Sequence, residues 1–199
     1  MRIATCVFML LALAPGTAGA DDENLCRPGT TRPALIAGGG WTEDPPDAQP
    51  YLPPVHGPFS VGHGPAVQAR VEIPLMNPIF GLRLEIDRTA LPVHLGGKKR
   101  KDWVSISHGG VGIVAHLFNL SPYCGYIAVT KGTYGYAFRG ERIRSSGDAV
   151  TLGLNRGSTD RLNPFIEVRL SGSLPPGQSP DDALADPVIT VSAGARFRF

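Results

Sequence analysis

The C-terminal stretch constrains this chain more than any other. Ile189, Val191, Ala193, Ala195, Phe197 and Phe199 alternate with Thr190, Ser192, Gly194, Arg196 and Arg198. A period of two belongs to a strand with one apolar and one polar face, and no helix can hold it. Alternation alone leaves open whether the apolar face meets lipid or a protein core.

The same period recurs upstream. Ile166, Val168 and Leu170 alternate with Glu167, Arg169 and Ser171; Val150, Leu152 and Leu154 alternate with Thr151, Gly153 and Asn155. Leu82, Leu84 and Ile86 oppose Arg83, Glu85 and Asp87, while Val67, Ala69, Val71, Ile73 and Leu75 oppose Gln68, Arg70 and Glu72. Two longer segments run from Trp103 to Phe118 and from Tyr123 to Phe138. In the first, Val104 and Ile106 hold one phase and Val111, Ile113, Ala115 and Leu117 the other, which predicts a β-bulge around His108-Gly109-Gly110. In the second, Tyr126, Tyr134, Tyr136 and Phe138 form an aromatic-rich stretch, which in a membrane barrel would be expected where the strand meets the interfaces. A Gly-rich segment, Ala34 to Trp41, is the candidate for a further first strand, giving eight.

The N-terminus reads as an export leader over residues 1–20. Arg2 precedes the apolar run Val7 to Leu13, and Ala18-Gly19-Ala20 stands before Asp21-Asp22-Glu23. The run is too short for a membrane helix, and no later stretch is long and apolar enough for one. The expected organisation is therefore a leader (1–20), an N-terminal segment with a weak strand and a Pro-rich loop (21–65), and a strand-built remainder (66–199). Nineteen basic residues, one of them Arg2, face seventeen acidic ones, a balance that argues against a nucleic-acid binder. Cys6 lies in the leader, so Cys26 and Cys124 remain as a possible disulfide in an oxidising compartment.

A final strand that alternates and stops at an aromatic, behind an export leader, resembles the C-terminal assembly signal of bacterial outer-membrane β-barrels. Phe197 and Phe199 would then be read by the barrel-assembly machinery. Over residues 66–199 the pattern is similar to the small opacity and OmpX-like class. The resemblance implies an all-β, antiparallel, up-and-down transmembrane barrel of eight strands in the outer membrane of a Gram-negative cell. Its surroundings would be outer-membrane lipids and lipopolysaccharide.

In such a barrel the polar face lines the lumen, because an Arg or Lys on the lipid face costs about 2–4 kcal/mol at mid-depth. Arg70, Glu72, Arg83, Glu85, Asp87, Glu167, Arg169, Arg196 and Arg198 are therefore expected inside. Eight strands leave an interior only wide enough for side chains, which predicts a plugged, ion-paired polar lumen with no open pore. The connections alternate as the class requires. Leu174 to Pro187, Arg139 to Asp148 and Leu91 to Asp102 read as external loops; Gly157 to Pro164, Asn119 to Pro122 and Met76 to Ile79 read as short periplasmic turns. That topology sets Cys124 at the periplasmic rim, beside the expected place of Cys26, and predicts that the two pair.

Readable chemistry is sparse. Ser105, Ser107 and His108 invite a nucleophile reading, since some small outer-membrane barrels modify lipid A. The order departs from the His-x-Ser pattern of the lipid A deacylases, and a third orienting group is missing. Lumen-facing serines beside a bulge at His108 are the expectation. His56, His63, His94 and His116 are scattered without metal-ligand spacing, so neither a metal nor a cofactor is expected. Lys98-Lys99-Arg100-Lys101 would sit on an external loop, where it could hold lipopolysaccharide phosphates. Asn119-Leu120-Ser121 fits a glycosylation triplet but falls in a periplasmic turn. Three readings follow: a structural or surface-interaction barrel, an outer-membrane enzyme acting on lipid, and a soluble periplasmic barrel with an apolar ligand cavity.

Overall fold

The computed structural model describes residues 33–43, 59–75, 79–95, 101–120, 123–156, 162–174 and 188–199. Among these the strands are β1 (Ala34–Glu43), β2 (Phe59–Val61), β3 (Gly64–Pro74), β4 (Phe80–Leu95), β5 (Lys101–Leu120), β6 (Tyr123–Phe138), β7 (Glu141–Arg156), β8 (Leu162–Leu174) and β9 (Val188–Arg198). Each long strand pairs antiparallel with its neighbour, and β1 joins β9 as well as β3, closing an eight-stranded barrel. Short β2 pairs with the far end of β4, beyond the point where β3 leaves it.

The alternation sorts apolar residues outward. Followed across the register, Ile189, Leu170, Val150, Val129, Ile113, Leu82 and Ile73 form one continuous outward ribbon. Val67, Ile86, Val129, Ile113 and Leu152 are each more than half exposed, while Arg70, Arg83 and Glu167 are almost fully buried. A water-soluble protein does the reverse. This barrel turns its apolar face to its surroundings and its charges inward, the arrangement of a transmembrane barrel rather than of a soluble one with an apolar cavity.

Aromatics mark the two edges of the belt. Trp41 stands outward on β1, opposite Pro65 and Val191, whereas Phe80, Phe197 and Phe199 stand outward at the other edge. The end carrying Phe199 is called lower below.

Above the belt, β4, β5, β6 and β7 continue as two hairpins. Arg139 to Asp148, expected as an external loop, is instead a two-residue turn with β7 already running from Glu141. Arg139 and Gly140 both have positive φ, 50° and 89°. That is the turn whose twist matches the flanking strands, and it needs the freedom of glycine at one position. The polar sequence of this stretch reads as a loop only because its strands lie above the belt, where neither face has to be apolar. For the same reason Leu91 to Leu95 and Lys101 to Asp102, expected within an external loop, belong to β4 and β5; at the lower end, Leu162 to Pro164 and Asn119 to Leu120, expected in turns, belong to β8 and β5.

The predicted bulge at His108-Gly109-Gly110 is absent. His108, Gly109 and Gly110 pair without interruption with Asp87, Ile86 and Glu85 on β4 and with Tyr134, Thr133 and Gly132 on β6. The irregularity on this strand lies between His116 and Phe118. What changes along β5 is the content of the lumen. Val104 and Ile106 point inward and pack with Leu91, Val93 and Phe138 in an apolar cluster at the upper end; further down, the inward positions carry His108 and Gly110, and the apolar residues take the outside. Apolarity changes face while the strand keeps its phase.

Candidate functional site

The lumen holds the one concentration of chemistry among the described residues. Arg70 and Glu72 enter it from β3, Arg83, Glu85 and Asp87 from β4, Glu167 and Arg169 from β8, and Arg196 from β9. Their side chains are buried apart from that of Asp87, which is 19% exposed. Four guanidinium groups meet four carboxylates.

Glu167 is one hub. It accepts from Arg70, from Gln68 Nε2 at 3.0 Å, from Ser192 Oγ at 3.2 Å and from the Tyr126 hydroxyl at 2.9 Å. Glu72 is the second, accepting from Arg83 Nε and Nη2 at 3.1 and 2.7 Å; Arg196 Nη2 lies 2.5 Å from its other oxygen and His116 Nε2 lies 3.7 Å away. The third gathers at Glu85 and Asp87. Arg169 donates to Asp87 and, at 2.8 Å, to Glu85, which also accepts from Thr130 Oγ1 at 2.6 Å. Arg70 Nε, 3.4 Å from Glu85, joins the third hub to the first, and Arg83, 3.9 Å from Glu167, joins the first to the second.

His108 stands in the third hub with its Nδ1 3.1 Å from Asp87 and 2.9 Å from Arg169. A guanidinium only donates and a carboxylate only accepts, so Nδ1 serves one of them at a time. Its ring lies against Tyr134, with centroids 4.4 Å apart. Glu85, Asp87 and His108 bring ligand atoms within 4.8 Å of one another, as a metal site would. Arg169 bonds to all three. A tethered cation thus fills the place that an ion would take.

Ser105 and Ser107, expected in the lumen, face outward, because without a bulge β5 keeps Val104, Ile106 and His108 inward. Arg88 Nε donates to Ser105 Oγ at 3.1 Å, and Ser107 Oγ donates to the Gly135 carbonyl at 3.3 Å. His108 is on the opposite face of the sheet from both. A serine nucleophile needs its base within hydrogen-bond reach, and this geometry does not bring Ser105 and His108 together.

Tyr126, Tyr134, Tyr136 and Phe138, expected at the membrane interfaces, are all buried in the lumen. Their partners show why. Tyr126 is opposite Gly153 on β7, and a Cβ there would lie 2.1 Å from the tyrosine Cζ, so the missing side chain makes the space in which the ring lies. Gly132 does the same for His108, whose Nε2 would be 2.4 Å from a Cβ. Gln68, Thr130, Tyr126, His116 and Ser192 were not read as part of this network from sequence. A large polar aromatic opposite a glycine was the available signal for Tyr126.

Cys124 is buried on the inward face of β6 and is disulfide-bonded. Cys26, the expected partner, lies outside the described residues, as do Lys98, Lys99 and Arg100 of the basic run, residues 175–187 and the leader. Phe197 and Phe199 are outward and exposed at the lower edge.

No protein-family model matches the chain, and no curated protein does. Solved structures do. The chain is similar to the Neisserial surface protein A (NspA), with a TM-score of 0.54 and 13% identity, covering 85% of this chain and 98% of that one. It is similar to the outer membrane protein OprG from Pseudomonas aeruginosa, with a TM-score of 0.53 and 12% identity, covering 86% and 98%. The fold is that of the small eight-stranded outer-membrane barrels.

Proposed function

We propose that this protein is an exported outer-membrane barrel of Gram-negative bacteria that does not conduct. Its role is structural or lies in surface interaction, through the hairpins above the belt and the lipopolysaccharide around them. The carrying observation is the lumen, where four arginines and four carboxylates bridge the bore and a buried apolar cluster lies above them. Such pairs add little net stability, since desolvation offsets most of the attraction. They do fill the cross-section that a solute would need.

Delivery would follow from the leader, with the β9 strand ending in Phe197 and Phe199 presented to the assembly machinery. At the upper edge of the belt, Arg88 and Lys131 are outward and exposed, placed to meet lipopolysaccharide phosphates. The test is fractionation of expressing cells, a denaturing gel of the membrane fraction with and without boiling, and planar-bilayer recordings of the purified protein. A heat-modifiable outer-membrane band without unitary conductance is the expected result. A soluble, heat-indifferent protein would overturn the membrane assignment, and steady channels would overturn the closed lumen.

A further inference from the structure

Above the lipid belt, one large aromatic among the described residues faces away from the barrel. Trp103 lies on the outward face of β5, opposite Pro92 of β4, and is 56% exposed. It is eight residues above Val111, the last large apolar residue of the belt on this strand. At 3.3–3.4 Å per residue and a tilt of 35–45°, that is about 20 Å higher along the barrel axis. An indole at the interface would gain from the apolar boundary, and Trp41 occupies that place. Trp103 stands too far up to touch acyl chains. It is not core either, since Leu91, Val93 and Val104 fill the inner face of the same hairpin, with Phe138 of β6 packed against them.

We infer that Trp103 is the centre of a docking face for the core oligosaccharide of lipopolysaccharide. This rests on the outer-membrane reading above. The face continues the lipid-facing wall without a break: Leu117, Ile113 and Val111 give way upward to Gly109, Ser107, Ser105 and Trp103, all outward on one strand. Whatever lipid lies against Val111 has its headgroup beside Ser107 and whatever is attached to that headgroup beside Trp103.

The chemistry fits that order. Arg88, bonded to Ser105, and Lys131, opposite Val111, offer positive charge at phosphate height. Higher up, an exposed indole can stack on the C–H face of a sugar ring, and Ser105 can hydrogen-bond to ring hydroxyls. The apolar packing behind it fixes the platform before the sugar arrives, which limits the ordering cost of binding.

The chain has two tryptophans, so Trp41→Phe leaves Trp103 as the sole indole reporter. The folded variant is reconstituted into vesicles of phosphatidylcholine alone, of phosphatidylcholine with lipid A, and of phosphatidylcholine with rough lipopolysaccharide that retains its core. Acrylamide quenching of the indole is then read. A several-fold fall in the quenching constant with core-bearing lipopolysaccharide only, lost on Trp103→Ala as a fall in core-lipopolysaccharide binding by a barrel that stays heat-modifiable, is the expected result. Equal quenching in all three vesicles, or equal protection by lipid A, overturns the proposal. Failure to insert into any vesicle would overturn the outer-membrane reading and this inference together, so the two failures are distinguishable.

Discussion

Arg169 on β8 bonds to Asp87 on β4, and these two strands stand on opposite walls of the barrel. A side chain that spans the bore closes it, and it also ties together two strands that share no backbone hydrogen bond. The ion pair therefore bears on closure of the lumen and on the relative placement of its walls.

Replacing Arg169 by Met should leave Glu85 and Asp87 without their shared cation. Removing one partner of a buried pair costs about 3–5 kcal/mol. The folded band on an unboiled gel should convert to the unfolded one at a clearly lower temperature than in the wild type. Adding Glu85→Gln and Asp87→Asn should recover much of that loss, because it removes the stranded charges. A single variant as heat-resistant as the wild type would show that the pair carries nothing.

Gly153 should tolerate no side chain while Tyr126 is present. A Cβ would lie 2.4 Å from the tyrosine hydroxyl as well as against its ring, forcing Tyr126 off Glu167. Overpacking of this kind costs about 1–3 kcal/mol. Gly153→Val should lower the unfolding temperature, and Gly153→Val with Tyr126→Ala should lie above the single variant. The opposite ranking would mean that the ring does not depend on that gap.

Most of the wall was legible in the sequence because lipid imposes a strict alternation on it. Val67 to Leu75, Leu82 to Ile86 and Ile189 to Phe199 show it directly, and the inward positions of Arg70, Glu85 and Arg196 follow from the same phase. The upper hairpins were not legible, since their outward face meets no acyl chains. Ser105 and Ser107 could stand outside and Val104 inside, which imitates a bulge at His108. Arg142 to Asp148 imitates a loop for the same reason. The ion-pair partners were not legible either, because they join strands far apart around the ring, such as Arg169 and Glu85, and local periodicity says nothing of distances across a lumen.

The lipid-facing assignment makes a depth-dependent prediction. Ile113→Arg places a charge in the middle of the outward ribbon and should destabilise the barrel by about 2–4 kcal/mol. Thr133→Arg, outward on β6 two residues above Lys131, should cost at most about 1 kcal/mol near the interface. Urea unfolding in lipid vesicles followed by tryptophan emission measures both. Equal effects at the two positions would argue against a hydrocarbon layer at Ile113.

The disulfide at Cys124 makes the last prediction. This thiol position faces the lumen and is 2% exposed, yet it is bonded. The chain has three cysteines, of which Cys6 belongs to the expected leader. Cys26 is therefore the expected partner of Cys124 in the exported protein. A non-reducing digest of the purified protein should yield one cross-linked pair of peptides containing Cys26 and Cys124. In Cys26→Ser, the Cys124 thiol should resist a bulky maleimide in the folded barrel and react after boiling, while stability falls by about 2–4 kcal/mol. A cross-link to Cys6 would show instead that the leader is retained, and rapid labelling of the folded variant would place Cys124 outside the lumen.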